Sequence, residues 1–270
     1  MDALVHVVRA FEDPASPHPA GSVDPARDIE ALELELIFAD LGLIERRLDR
    51  LETEIHSLRA GERGALERDR ALMLRLKEGL EAETPVRAQG LDEDQLRGLA
   101  QYQFVTQLPL LLVVNTGEDE GERAAEIEAR FASAHGPPAV AICAKLEAEV
   151  AALDAEEAAE FRAGLGLEGE PPLDRAIRSA YSALGLISFF TAGDTDCRAW
   201  ALRRGETALE AAGRIHSDIE RGFIRAEVAG WAELVEAGSH GALRSTGGLR
   251  TEGRAYVVQD GDVINVLFNV

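Results

Sequence analysis

Lysine is almost absent: the 270-residue sequence has two, Lys77 and Lys145, among 28 basic side chains. No GxxxxGK[ST] run occurs. The glycine-rich loop, lysine and hydroxyl that hold nucleotide phosphates and Mg²⁺ in P-loop proteins are therefore excluded from these residues. Cysteine is nearly as scarce. Cys143 and Cys197 lie far apart with no metal-ligand spacing, which excludes a disulfide framework and a zinc site and predicts two reduced cytosolic thiols and no bound metal. Long apolar runs are missing too. The longest, Leu108 to Val114, includes Pro109 and is too short to cross a bilayer. Residues 1–20 have no basic segment followed by an apolar one, so no secretory signal is expected. Together these absences predict a cytoplasmic protein with no membrane partner.

Positive charge is short overall. The net charge is −21, of which residues 187–270 carry −3 (nine arginines, twelve acidic residues) and the first 186 residues carry −18. An acidic body repels phosphate backbones at long range, so non-specific nucleic-acid binding is not expected and an RNA contact would fall in the near-neutral C-terminal region.

What is present supports a packed core, with 46% hydrophobic residues. Residues 1–26 read as a strand and a loop. Leu4, Val5, Val7 and Val8 form a short β-branched run, and such a strand needs neighbours on both sides. The sequence thus reads as part of a larger protein. Four prolines, Pro14, Pro17, Pro19 and Pro25, exclude a helix from the loop. Residues 27–87 read as a helical hairpin whose first helix begins at Asp28. Ile37, Leu41, Ile44, Leu48, Leu51, Ile55 and Leu58 alternate in steps of four and three, a heptad seam. Gly61 and Gly64 interrupt it, and Leu66, Met73, Leu76 and Leu80 resume it. The first arm could reach about 45–50 Å, docked on its own domain or projecting to a partner. Residues 88–186 read as α/β. LPLLLVVN and PPAVAICA fit parallel strands flanking a helical segment around Glu118–His135. Residues 187–270 read as a small mixed sheet gripping one helix from Thr207 to about Ile215, with Glu210 completing a capping box. Asp260-Gly261 marks a hairpin between AYVVQ and VINVLFNV.

Strings spread over the whole chain resemble the YchF/Obg-like ATPase family: DALVHVVRAFED, GSVDPARDIE, VVNTGE, AICAKLEAEVAALDAEE, and the tail HSDIERGFIRAE with VQDGDVIN. The resemblance implies an α/β plus α+β architecture. A Ras-like parallel sheet is interrupted by an antiparallel coiled-coil hairpin and followed by a β-grasp, ubiquitin-like TGS domain. It implies ATP bound with Mg²⁺, GTP bound weakly, and a ribosomal partner, the large subunit or the whole ribosome. Asn115-Thr116-Gly117-Glu118 matches the family's NxxE base motif. There Asn115 orients the loops around the base, Thr116 lies along it, and Glu118 replaces the shorter aspartate that selects guanine. Cys143-Ala144-Lys145 matches the second base loop. Phe11 matches an aromatic lying against the base, though taken alone it reads as core. His18 matches the family's mobile-loop catalytic histidine, with prolines on both sides where relatives carry apolar residues; alone it reads as a solvated loop residue.

Phosphoryl transfer depends on positioning and neutralising phosphate charge. The elements that do so are absent, so this chain is expected to bind nucleotide weakly or not at all and not to hydrolyse it. Three explanations compete: Met1 is not the true start of a full ATPase, the short form is a non-catalytic ribosome- or RNA-associated binding module, or the chain is a decayed gene product with no stable function. In the second case Arg198, Arg203, Arg204, Arg221 and Arg225 are the candidate RNA contacts. Trp200 and Phe223 among them read more naturally as core, and His216 and Asp218 as a helix-end hydrogen-bonding pair. The three remaining strands, 3–8, 109–114 and 138–143, would be adjacent, with the first an open, apolar edge.

Overall fold

The structure is a computed structural model. It describes all residues except 119–122, 133–135, 166, 168, 194, 195 and 270. Two compact units are present, Met1–Ala180 and Tyr181–Val270.

The first unit is built on a parallel sheet of three strands in the order β1 (Leu4–Arg9), β2 (Leu110–Asn115) and β3 (Ala139–Ile142). Leu4 to Arg9 pair in register with Leu110 to Asn115, and Leu112 to Asn115 with Ala139 to Ile142. The three strands are adjacent, as the sequence predicts. Their alternation sorts side chains to two faces. Val8, Leu112 and Val114 pack with Ile29, Ile127 and Phe131. Leu111, Val140 and Ile142 pack with Ala176 and Ala180. On that second face β1 is uncovered, and Val5 and Val7 are 56% and 61% exposed.

Between β1 and β2 runs a pair of antiparallel helices, α1 (Pro25–Ser57) and α2 (Gly64–Glu81). Helix α1 starts at Pro25, three residues before Asp28. Proline is favoured in the first helical turn because its missing N–H has no intrahelical partner there. Asp24 caps the end by accepting from the Arg27 N–H. The seam is buried as the spacing requires: Ile37, Ile44 and Leu51 recur every seven residues and meet Met73, Leu76 and Leu80. Cross-links at Arg47–Asp69 (2.8 Å) and Lys77–Glu45 (3.1 Å) give the antiparallel direction.

One charged-type residue lies inside this core. Asp40 of α1 is fully buried, and its carboxyl oxygens accept from the N–H of Val105 (3.0 Å), the N–H of Thr106 (2.8 Å) and the Thr106 hydroxyl (2.7 Å). The Thr106 oxygen in turn accepts from the Val86 N–H at 3.1 Å. After α3 (Glu93–Leu99) the chain thus crosses α1 under this carboxyl group before entering β2. The α4 helix (Ala124–Phe131) connects β2 to β3, followed by α5 (Ala144–Val150), α6 (Ala155–Gly164) and α7 (Pro172–Ala183). The sequence places the first of these over Glu118–His135; residues 119–122 and 133–135 of that span lie outside the described residues.

The second unit is a mixed five-stranded sheet in the order β5-β4-β8-β6-β7. The strands are β4 (Leu186–Ala192), β5 (Cys197–Arg203), β6 (Phe223–Gly230), β7 (Arg250–Glu252) and β8 (Asp262–Phe268). Helix α8 (Ala208–Ile215) lies against it, its Ala208, Ala211 and Ala212 fully buried among Ile187, Phe189, Leu202, Phe223 and Val228. Glu210 accepts from the Thr207 N–H at 2.6 Å, as the capping-box spacing predicts. Helices α9 (Ser217–Arg221), α10 (Trp231–Ala237) and α11 (His240–Thr246) complete the unit.

The expected AYVVQ–VINVLFNV hairpin does not form. Residues 255–259 make no strand beyond one isolated bridge, Thr207 to Val257. The reason is Asp262: its buried carboxyl accepts from the Tyr256 hydroxyl and the Gln259 N–H, both at 2.8 Å. These bonds curl the segment onto the start of β8, which pairs with β4 and β6.

Two outcomes follow. Asp40→Ala leaves buried backbone donors without acceptors and is expected to lower unfolding free energy by about 3 kcal/mol, whereas the exposed Glu52→Ala changes it by under about 0.5 kcal/mol; urea denaturation of both variants distinguishes them. Burial, reinforced by Asp262, pushes Tyr256 up to about 12. The folded form thus holds this proton longer than the unfolded chain does, and stability falls as pH rises from about 10 to about 12. Spectrophotometric titration of the three tyrosines should show Tyr102, raised by burial and by its hydrogen bond to Asp69, and Tyr256 both ionising late, and Asp262→Asn should bring Tyr256 alone down.

Candidate functional site

The carboxyl ends of parallel strands are where open α/β sheets place ligands, and here all three strand ends converge. The Asn115 carbonyl accepts from the Ala10 N–H (2.8 Å), and the Ile142 carbonyl accepts from the Thr116 N–H (2.9 Å). A cavity of about 470 Å³ opens there, lined by Phe11, Glu12, Asp13, Asn115, Thr116, Gly117, Glu118, Cys143 and Lys145. Its volume lies within the usual range for small-ligand sites.

Each wall has a local cause. Arg9, the last residue of β1, donates from Nε to the Phe11 carbonyl (2.8 Å) and from Nη1 to the Ser16 carbonyl (2.6 Å), and its guanidinium carbon sits 4.9 Å from the Phe11 ring centroid. One cation therefore fixes the turn that presents Phe11. Gly117 faces the Phe11 Cβ, so the aromatic closes one side of the cavity over a residue with no side chain. The Asn115 side-chain oxygen accepts from the Ala144 N–H at 3.1 Å, clamping the β2 end to the loop entering α5. Lys145 Nζ donates to Glu118 Oε2 at 2.9 Å. That hydrogen bond holds the lysine above its ordinary range.

The structure thus gathers Phe11, Asn115, Thr116, Glu118, Cys143 and Lys145 around one cavity, with Ala144 in the clamp behind it. Glu12 and Asp13 also line it; the sequence reading missed them, although they directly follow Phe11. His18 is not among the lining residues. Its Nδ1 accepts from the Ala20 N–H (3.2 Å), which leaves the proton on Nε2, directed at Asp28 in the first turn of α1 (3.0 Å). The acidic run after Glu118 continues into residues 119–122, outside the described residues.

The five arginines do not form one patch. Strand register puts Arg203 and Arg225 on the sheet face opposite the α8 core, while Arg198 shares its strand side with Trp200 and Leu202. Arg198 pairs with Asp196 at 2.7 Å, Arg221 pairs with Asp218, and Arg204 is exposed in the turn after β5. Phe223 is core, and Trp200 packs against it, its ring centroid 6.4 Å from that of Phe189. His216 Nδ1 accepts from the Asp218 N–H, capping α9. Cys197 is exposed on β5.

The whole chain aligns at 41% identity with the ribosome-binding ATPase YchF of Bacillus subtilis, covering 74% of that protein. The chain belongs to the YchF/Obg-like ATPase family. It is also 34% identical to Obg-like ATPase 1 of Oryza sativa subsp. japonica, of which it covers 68%. Residues 186–269 match the YchF-GTPase_C family, described as a protein of unknown function. The YchF GTPase structure of Schizosaccharomyces pombe superposes with a TM-score of 0.86 at 28% identity, over 98% of this chain and 72% of that one. The strand-end cavity of this YchF-family chain is thus carried by a fold shared with proteins named as ATPases and a GTPase.

The Asn115 clamp is a single hydrogen bond between half-exposed groups, worth about 1 kcal/mol. Asn115→Ala is expected to speed amide exchange at Ala144 by about fivefold while exchange within β1 stays unchanged, as read by hydrogen–deuterium exchange.

Proposed function

We propose that this YchF-family chain binds the base of ATP, with GTP weaker, at the strand-end cavity, associates with the ribosome, and by itself hydrolyses neither nucleotide. The observation that carries the base assignment is the convergence of Phe11, Asn115, Thr116, Glu118, Cys143 and Lys145 on one cavity. The base fits these groups: an aromatic wall, an amide clamp and a carboxylate–ammonium pair at the rim. The phosphate and Mg²⁺ end does not fit. The chain holds no GxxxxGK[ST] loop, and no group of three or more His, Cys, Asp or Glu suited to a metal lies among the described residues. No catalytic step is therefore assigned to Mg²⁺. His18, tied to Asp28, would need to leave α1 to act on an attacking water.

In the same reading α1 and α2 are an antiparallel coiled-coil hairpin, residues 187–270 are a β-grasp TGS domain, and the protein works in the cytoplasm. No described helix is long and apolar enough to cross a membrane. A non-catalytic ribosome- or RNA-binding module is the second reading, favoured by Arg203 and Arg225 on the outer sheet face. Ribosome association is supported by the names of the relatives, which include ribosome-binding ATPases.

The test is direct. Phosphate release from ATP should stay at the buffer rate, with and without ribosomes. The chain should cosediment with ribosomes at low salt, and Arg203→Glu with Arg225→Glu should weaken that about tenfold, because reversing surface cations removes phosphate contacts. Turnover above buffer would refute the non-catalytic assignment; cosedimentation unchanged by the double variant would refute the arginine face.

A further inference from the structure

We propose that the open edge of β5 is a docking site for an extended, apolar peptide with acidic flanks from another protein, which joins the second unit's sheet as a further strand. The inference is independent of the base cavity.

Strand order leaves β5 at the rim of the five-stranded sheet, paired with β4 alone. The Arg204 N–H donates to the Gly185 carbonyl (2.7 Å), and the Gly193 N–H donates to the Asp196 carbonyl (2.9 Å). Between these bonds the register runs from Leu186 opposite Arg203 to Ala192 opposite Cys197. The alternation of an antiparallel ladder then turns Arg198, Trp200 and Leu202 toward β4, and the backbone groups of Cys197, Ala199, Ala201 and Arg203 outward. The Arg203 N–H is taken by Glu206 Oε2 at 2.9 Å. Cys197, Ala199 and Ala201 thus offer main-chain donors and acceptors at the rim, and all three are exposed. An edge that resists addition carries charge, proline or a bulge along its length. Residues 199–202 carry none of these, and their pairing with β4 is unbroken.

The side chains around this edge define what it would accept. Directly opposed residues share a sheet face, so Phe190 stands beside Ala199, and Ser188 beside Ala201, on the outer face. The two alanines are low ground between an added strand and the half-buried Phe190. On the inner face Trp200, half-buried and 6.4 Å from the Phe189 ring, lines the rim. Apolar surface on both faces suits a strand that is apolar at successive positions, since main-chain bonds supply affinity and alternate side chains supply specificity. The ends are cationic. Arg203 and Arg204 have no ion pair among the described residues, while Arg198 is held by Asp196 at 2.7 Å. The nearby Glu206 is engaged with the Arg203 N–H and with Arg214 at 3.5 Å. Three arginines against one aspartate call for acidic residues beside the apolar segment.

The experiment uses the full 270-residue chain, ¹⁵N-labelled, with two capped probe peptides. One alternates valine and isoleucine between paired glutamates at each end; its twin has lysines in their place. The acidic peptide is expected to slow amide exchange at Ala199 and Ala201 and to bind at least about fivefold tighter than its twin. Ala199→Pro removes an outward donor where an edge strand tolerates proline. It should weaken the acidic peptide about tenfold, while amide exchange at Trp200 and Leu202 stays unchanged and reports an intact pairing with β4. Arg203→Glu with Arg204→Glu should reverse the preference between the peptides, whether or not the proline variant folds. No slowing at Ala199 and Ala201 up to millimolar acidic peptide, or equal binding of the twin, overturns the inference. Slowing that needs no peptide and grows with protein concentration also overturns it, assigning the edge to a second copy. Shifts at Arg203 and Arg204 with oligouridylate, with neither peptide binding, overturn it in favour of nucleic acid.

Discussion

The buried carboxyl group of Asp40 is the constraint on which the first unit depends. A helical pair inserted between two parallel strands separates β1 from β2 by about a hundred residues of chain, and something must bring the chain back in register. Three hydrogen bonds from Val105 and Thr106 to one buried side chain of α1 do this immediately before β2 begins. Because β2 is central, pairing with both β1 and β3, its placement also sets Asn115, and Asn115 sets the loop that carries Cys143 and Lys145. The route from helical core to cavity rim is thus continuous in hydrogen bonds and strand pairing. It is also short in sequence, nine residues from Thr106 to Asn115.

The cavity and the charge distribution fit one another. A carboxylate-rich unit carrying most of the net charge is a poor place for polyanionic phosphates and an acceptable one for a neutral base held by stacking and edge contacts. Glu12, Asp13 and Glu118 all line the cavity, against a single lysine. The second unit, near neutrality and with two arginines on one outer sheet face, has the surface better suited to an anionic partner.

Much of this was legible in the sequence, for physical reasons. The heptad steps from Ile37 to Leu58 report a buried seam because helical period and burial are linked, and the short apolar runs at Leu4, Leu110 and Ala139 report parallel strands, although β1 leaves Val5 and Val7 exposed on one face. The cavity-lining residues were legible through the strand–loop motifs ending in Asn115 and Cys143. Other features were hidden. Asp40 looks like an ordinary polar helix residue; only the tertiary approach of Val105 and Thr106 makes it an acceptor in a core. The AYVVQ segment has strand composition, but Asp262 takes the Tyr256 hydroxyl and the Gln259 N–H while the Glu206 carbonyl takes the Val258 N–H, contacts no local pattern encodes. The start of α1 was displaced because Pro25 reads as a helix breaker unless its place in the first turn is recognised. Which sheet face each candidate arginine takes was also hidden, because strand alternation puts Arg203 and Arg225 opposite the α8 core and Arg198 on the side of Trp200 and Leu202.

On the proposed function, this chain recognises a base and not its phosphates. Isothermal titration of the chain with adenosine and with ATP, each with and without Mg²⁺, measures it most directly. The proposed function predicts equal affinities, or weaker binding of ATP through repulsion from the acidic unit. ATP binding tenfold or more tighter than adenosine, about 1.4 kcal/mol of phosphate contribution, would contradict it.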